Sequence, residues 1–195
     1  MVLEQGLNII KQSPNHELLV CLLWIVVLCD LDDEVKVLLK SGANVNVLLG
    51  DHPMMFLEKE LTILHALLRK DSSTSNKQLI ELVTNYGANL QARDCDGQTT
   101  LHYVAMTGRI REAKLLLKKG ANSNAADNNG MTPLLVAAQS VKANELLQLL
   151  ITHGADVTAR DVDGRNILHW LAYAPVEHAG LVWAAKENLL TNTKH

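Results

Sequence analysis

Apolar residues in this chain fall in short runs at helical spacing, and each run closes on a polar turn that contains a glycine. In "TTLHYVAMTGRIREAKLLLKKGANSNAAD" (99–127), Leu101, Val104 and Ala105 lie on one face of a first helix that Gly108 breaks. A second helix over roughly 110–119 carries Ile110, Ala113, Leu116 and Leu117 on its apolar side, and Gly120 supplies the left-handed residue after its end. Thr99 and Thr132 precede first helices, where a side-chain oxygen accepts from free backbone N–H groups. Pro133 follows Thr132, at a position where a missing N–H costs nothing.

The pattern repeats. Asp-Gly at 96–97 returns as Asn-Gly at 129–130 and Asp-Gly at 163–164, with the glycines 33 and 34 residues apart. "TTLHYVA" (99–105) returns as "TPLLVAA" (132–138) and "NILHWLA" (166–172). "GAN" at 42–44, 87–89 and 120–122 returns as "GAD" at 154–156. A turn-helix-turn-helix unit of this length cannot bury its apolar faces alone, but a stack of such units can.

A period near 33 with a T-P-L-H-like turn resembles the ankyrin repeat, and the register holds over most of the chain. The resemblance implies an all-α solenoid of stacked helix-turn-helix units with projecting β-turn fingers. One domain is expected over 1–195, with repeats at about 16–47, 60–93, 94–126, 127–160 and 161–190 behind a cap at 1–15. Two places break the period. Eight extra residues lie within "VLLGDHPMMFLEKE" (47–60), an extended finger, and four within "KDSSTSN" (70–76).

The run "LLVCLLWIVVL" (18–28) is too short to span a bilayer and lies in repeat register, since "VVLCDLDDEVKVLLKSGA" (26–43) aligns without gaps on "VAMTGRIREAKLLLKKGA" (104–121). It reads as a divergent first repeat, and no membrane role is expected. Its second helix opens on Asp32, Asp33 and Glu34 and ends on Lys40, charges that complement the macrodipole. The last repeat departs from the pattern at "YAPVEHAGLVWAAKENLL" (173–190), where a closing helix across about 177–190 is expected and an exposed Trp183 would favour self-association. Aromatics are only 4% of the residues, which suits tightly stacked helices filled with Leu, Val and Ala. Cys21, Cys29 and Cys95 are odd in number and widely spaced. They read as reduced, small apolar residues of a cytoplasmic or nuclear protein.

Candidate chemistry is better explained by folding. His65, His102 and His169 recur once per repeat, but stacked helices stand roughly 8–10 Å apart while nitrogens sharing a zinc lie about 2 Å from it. The expectation is a structural bond to the turn, with no metal, no cofactor and no catalysis. Cys95 and His102 lack a recurring acid or base. Arg109, Arg111, Lys114, Lys118 and Lys119 form a basic set on an outer helix, but the chain is −3 overall and offers no stacking aromatics, so no nucleic acid is expected. Trp24, Trp170 and Trp183 read as packing residues near the two ends of the stack.

Function must therefore lie in what the repeats do not share. In ankyrin-like folds the finger tips and the exposed ends of first helices line a concave surface. Carried over residue by residue, these are Cys95, Asp96, Gln98, Met106 and Thr107, then Asn128, Asn129, Met131, Gln139 and Ser140, then Val162, Asp163, Arg165 and Tyr173. Met131 and Arg165 are expected to stand out on their fingers. The long finger adds Leu48, Leu49, His52, Met54, Met55 and Phe56, placed either against a partner or back on the stack. The resemblance implies a protein partner, with two roles open: a blocker similar in architecture to inhibitor-of-NF-κB-like proteins, or an adaptor or substrate-targeting domain of a larger protein. It also implies that Asn46 in "LLKSGANVN" and Asn124 in "LLKKGANSN" are candidates for asparaginyl hydroxylation.

Overall fold

In the computed structural model the described residues are 22–27, 29, 31–48, 61–69, 74–140 and 143–173, excepting the side chains at 32, 74–76, 143 and 173. The cap at 1–15, most of the long finger including Met54, Met55 and Phe56, and the closing helix at 177–190 lie outside them. Every regular element among the described residues is helical. The chain divides into two compact units, Met1–Asn89 and Leu90–His195.

In the first unit, α1 covers 22–27, α2 Asp32–Lys40, α3 Ile63–Arg69 and α4 Thr74–Asn85. Helix α3 packs on α4, and α4 also meets α2. Leu23, Trp24, Val27, Val35, Leu38, Leu64, Leu68, Ile80 and Val83 fill the interior. These residues sit three or four apart within each helix, so each helix turns one face inward.

The second unit contains α5 Thr100–Thr107, α6 Ile110–Lys118, α7 Pro133–Ala137, α8 Ala143–Thr152 and α9 Ile167–Tyr173. First helices pack in a row, α5 on α7 and α7 on α9, while α6 and α8 lie behind their own partners and against each other. Leu101, Val104, Leu116, Leu134, Leu135, Leu146 and Leu150 are buried at 0–1% exposure, which matches the apolar face read from the sequence. The four glycines expected to end second helices, Gly42, Gly87, Gly120 and Gly154, all have φ between 81° and 91°.

Two expectations are corrected. Arg109 does not lie on a solvated outer face: it is 8% exposed, at the N-cap of α6. Arg111, Lys114, Lys118 and Lys119 are exposed as expected, with Lys114 3.3 Å from Glu145 of α8. Cys29 is a free thiol but exposed rather than packed as a small apolar residue, and Cys95 is free and exposed, as its place on the finger led us to expect.

The recurring histidines hold turns. Thr99 N–H donates to Nδ1 of His102 at 3.0 Å, and Thr99 Oγ1 lies 2.9 Å from the same nitrogen. Nε2 of His102 stands 2.9 Å from the Met131 carbonyl, which can only accept, so Nε2 carries the proton and ties one repeat to the next. Burial holds the His102 pKa below its ordinary 6.5, against the opposing pull of the Met131 bond. Thr62 N–H and Asn166 N–H donate in the same way to Nδ1 of His65 and His169, at 3.4 and 3.2 Å.

Candidate functional site

Each finger of the second unit is built on an aspartate. Asp94, Asp127 and Asp161 each stand three residues before the finger glycine. The Oδ1 of Asp94 accepts the N–H groups of Asp96 and Gln98 at 2.9 and 2.8 Å. Asp127 Oδ1 accepts those of Asn129 and Met131 at 2.8 and 2.9 Å. Asp161 Oδ1 accepts those of Asp163 and Arg165 at 3.0 and 2.8 Å. A backbone bond from each aspartate N–H to the carbonyl four residues on closes the turn. Successive fingers then join, Asn128 N–H to the Asp96 carbonyl and Val162 N–H to the Asn129 carbonyl, each at 3.0 Å.

Between these fingers and the first helices runs an open groove of about 520 Å³. Many residues expected at the binding surface line it, among them Gln98, Met106, Asn129, Met131, Gln139, Asp163 and Arg165. Ser140 and Val162, also expected at the surface, line it as well. Asp127, Val136, Asp161 and Trp170 complete the wall. Met106 and Val162 are 55% and 69% exposed, unusually high for apolar side chains.

Other expected residues lie elsewhere. Asn128 is exposed on its finger and donates through Nδ2 to the Cys95 carbonyl at 3.0 Å. Asp96 is half-buried and engaged through its carbonyl. Tyr173 ends α9, and its side chain is outside the described residues. Two details correct the sequence reading. Met131 is 9% exposed, because its backbone is held between Asp127 and His102. Arg165 does not project: Nε donates to Asp161 Oδ2 at 2.8 Å, an Nη group pairs with Asp163, and the guanidinium lies 4.6 Å over the Trp170 ring.

Asp161 collects the most partners. Burial pushes its carboxyl up, but the side-chain bond from Arg165 and the backbone N–H groups of Arg165 and Asp163 outweigh this and hold it below the ordinary 3.8. The Trp170 indole N–H adds a further bond at 3.1 Å. The finger aspartates were missed as a set in the sequence, although "DCDG", "DNNG" and "DVDG" recur in register at 94, 127 and 161.

Asn46 and Asn124 bridge successive repeats rather than bonding only within their own turns. Asn124 Nδ2 donates to the Gly154 carbonyl at 2.8 Å while its Oδ1 accepts Asp156 N–H at 2.7 Å. Asn46 does the same with Gly87 and Asn89 at 3.1 and 2.6 Å. Gln91 makes the equivalent pair with Gly120 and Asn122 at 3.0 and 3.3 Å. Among the described residues no group of three or more His, Cys, Asp or Glu side chains could hold a metal ion. No helix of the described residues is long and apolar enough to cross a membrane.

Residues 64–161, which include the first two of these fingers and the Asn124 and Gln91 bridges, match the family described as ankyrin repeats (3 copies). The chain belongs to the ankyrin-repeat family. Its fold class is accordingly all-α, built from the helix-turn-helix ankyrin unit. Among similar proteins is the B-cell lymphoma 3 protein homolog of Mus musculus, 30% identical over 162 residues, 83% of this chain and 33% of that protein. E3 ubiquitin-protein ligase KEG of Arabidopsis thaliana is 31% identical over 110 residues, 56% of this chain and 7% of its own length. Ankyrin repeat and SOCS box protein 11 of Homo sapiens is 39% identical over 84 residues, 43% of this chain and 22% of its own. The ankyrin chain thus spans a third or less of the length of these relatives.

Proposed function

We propose that the chain is a protein-binding module that takes its partner in the groove between the fingers and first helices of the second unit. The observation that carries this reading is the exposure of Met106 and Val162 in a groove whose finger turns are hydrogen-bonded into place. Apolar groups on a rigid frame favour binding because little ordering is needed when the partner arrives. The exposed thiols of Cys29 and Cys95 suit a reducing compartment, cytoplasmic or nuclear.

A blocking role needs only this groove. A substrate-targeting role within a larger protein is the second reading, favoured by similarity to a relative named as an E3 ubiquitin-protein ligase. The test is a quantitative pull-down with the full chain against a Met106→Glu, Val162→Glu variant. Both side chains are exposed, so the repeats should stay folded, and partners should be lost at least tenfold, about 1.4 kcal/mol. Undiminished capture by that variant, with loss only when Lys114 and Lys118 on the outer helix are changed, would move the site to the other face.

A further inference from the structure

The three finger aspartates differ at their second oxygen. Asp94 Oδ2 accepts the Tyr103 hydroxyl at 2.6 Å, and Asp161 Oδ2 accepts Trp170 Nε1 at 3.1 Å. Both donors stand nine residues after their aspartate, on the first helix of the same repeat. In the middle repeat the residue nine after Asp127 is Val136, which has nothing to donate. Among the described residues Asp127 Oδ2 meets only the Gln98 Nε2, at 3.5 Å, the far limit of a hydrogen bond. Yet Asp127 is 8% exposed and lines the groove beside Val136. A carboxylate oxygen this buried is costly to leave short of a donor.

The charges around it complete the picture. Asp127, Asp161 and Asp163 line the groove with a single cation, Arg165, which is already spent on Asp161 and Asp163. Arg93, on the neighbouring finger, gives Nη1 to the carbonyls of Gly97 and Ala126. His102 is held neutral by burial and gives its proton to Met131.

We propose that the groove takes a lysine or arginine side chain from a segment of the partner protein, its cation on Asp127 Oδ2 and its aliphatic stem over Val136 and Met106. The partner then supplies the donor that Tyr103 and Trp170 supply in the flanking repeats. A charge-assisted bond to a mostly buried carboxylate is strong, and the stem is apolar enough to lie over Val136 and Met106. This rests on the binding reading above and adds the chemistry of the anchoring residue.

The test selects binders to the immobilised full chain from a random peptide library and measures them against variants. Selected peptides should share one Lys or Arg flanked by apolar residues. Replacing that cation with norleucine should weaken binding at least tenfold, with no change to the protein at all. Asp127→Asn keeps an oxygen for the turn and should weaken the cationic peptide by a similar factor. It should leave the norleucine peptide unaffected, because the two changes remove one interaction. Val136→Tyr rebuilds the in-chain donor of the flanking repeats and should cost at least tenfold in peptide affinity without lowering Tm. Peptides that need Met106 but carry no fixed cation would overturn the cation assignment and leave the binding reading intact. Peptides indifferent to Met106→Glu, or no binders at all, would overturn both.

Discussion

Gly130→Ala is expected to cost clearly more stability than Gly164→Ala, although the two glycines hold the same place in successive fingers. Their φ values are 73° and 77°, so the penalty for a side chain in left-handed backbone, roughly 1–2 kcal/mol, is common to both. So is the partial offset of about 0.4–1 kcal/mol from a stiffer unfolded chain. What differs is the space. A Cβ on Gly130 would stand 2.9 Å from Val162 N and 3.1 Å from the C and Cα of Asp161, whereas at Gly164 no atom of the described residues lies within 4 Å. The obstructing atoms are backbone, and they cannot swing aside. Val162 N–H is bonded to Asn129, and Asp161 anchors its whole finger. Moving them resembles overpacking a core, about 1–3 kcal/mol beyond the shared term. Urea unfolding followed by far-UV circular dichroism gives the comparison, provided the denaturant slope is the same for both variants. Equal losses at the two positions would refute the claim that fingers are held by direct backbone contact.

Tyr103→Phe should lose about 1.5–3 kcal/mol by denaturation, because it strips a buried hydrogen bond from a carboxylate at 2.6 Å. His102 is harder to protonate folded than unfolded, so its contribution is full above pH 6.5 and falls as pH drops below it. The difference in stability between wild type and His102→Gln should therefore narrow on acidification through that range. For Asp161 the folded carboxyl lies below 3.8, so its contribution persists above that value and is lost as pH falls through the folded value. Asp161→Asn should be least harmful at the acid end of a pH series. We also propose that Asn46 and Asn124 accept a hydroxyl from an asparaginyl hydroxylase. Intact-mass analysis should show the gain of one oxygen at either, and none at Gln91.

Much of the fold was legible because its determinants are local. A Thr or Asn three residues before a His, or a glycine after a run of leucines, acts within its own turn, so residue type and spacing suffice. The groove was half legible. Gln98, Met106, Asn129, Gln139 and Asp163 vary between repeats, and they line it. Met131 and Arg165 were misjudged for one reason: their surroundings come from the neighbouring turn and helix rather than from their place in the period. The anchoring role of Asp127 was hidden for a related reason. Its oddity is the valine nine residues later, and this means something only beside Tyr103 and Trp170 in the flanking repeats.

The carboxamide bridges also bear on how this chain tolerates change in length. Asn124 reaches Gly154 and Asp156 across 30 and 32 residues, while Asn46 reaches Gly87 and Asn89 across 41 and 43. The entropy of closing a loop rises only with the logarithm of its length, so the longer circuit costs about 0.3 kcal/mol more. One bridging bond of ordinary strength, about 1 kcal/mol, exceeds that. Closure entropy alone therefore does not fix the length of the Asn46–Gly87 circuit; what constrains that segment is the packing of α3 and α4, whose Leu64, Leu68, Ile80 and Val83 are buried.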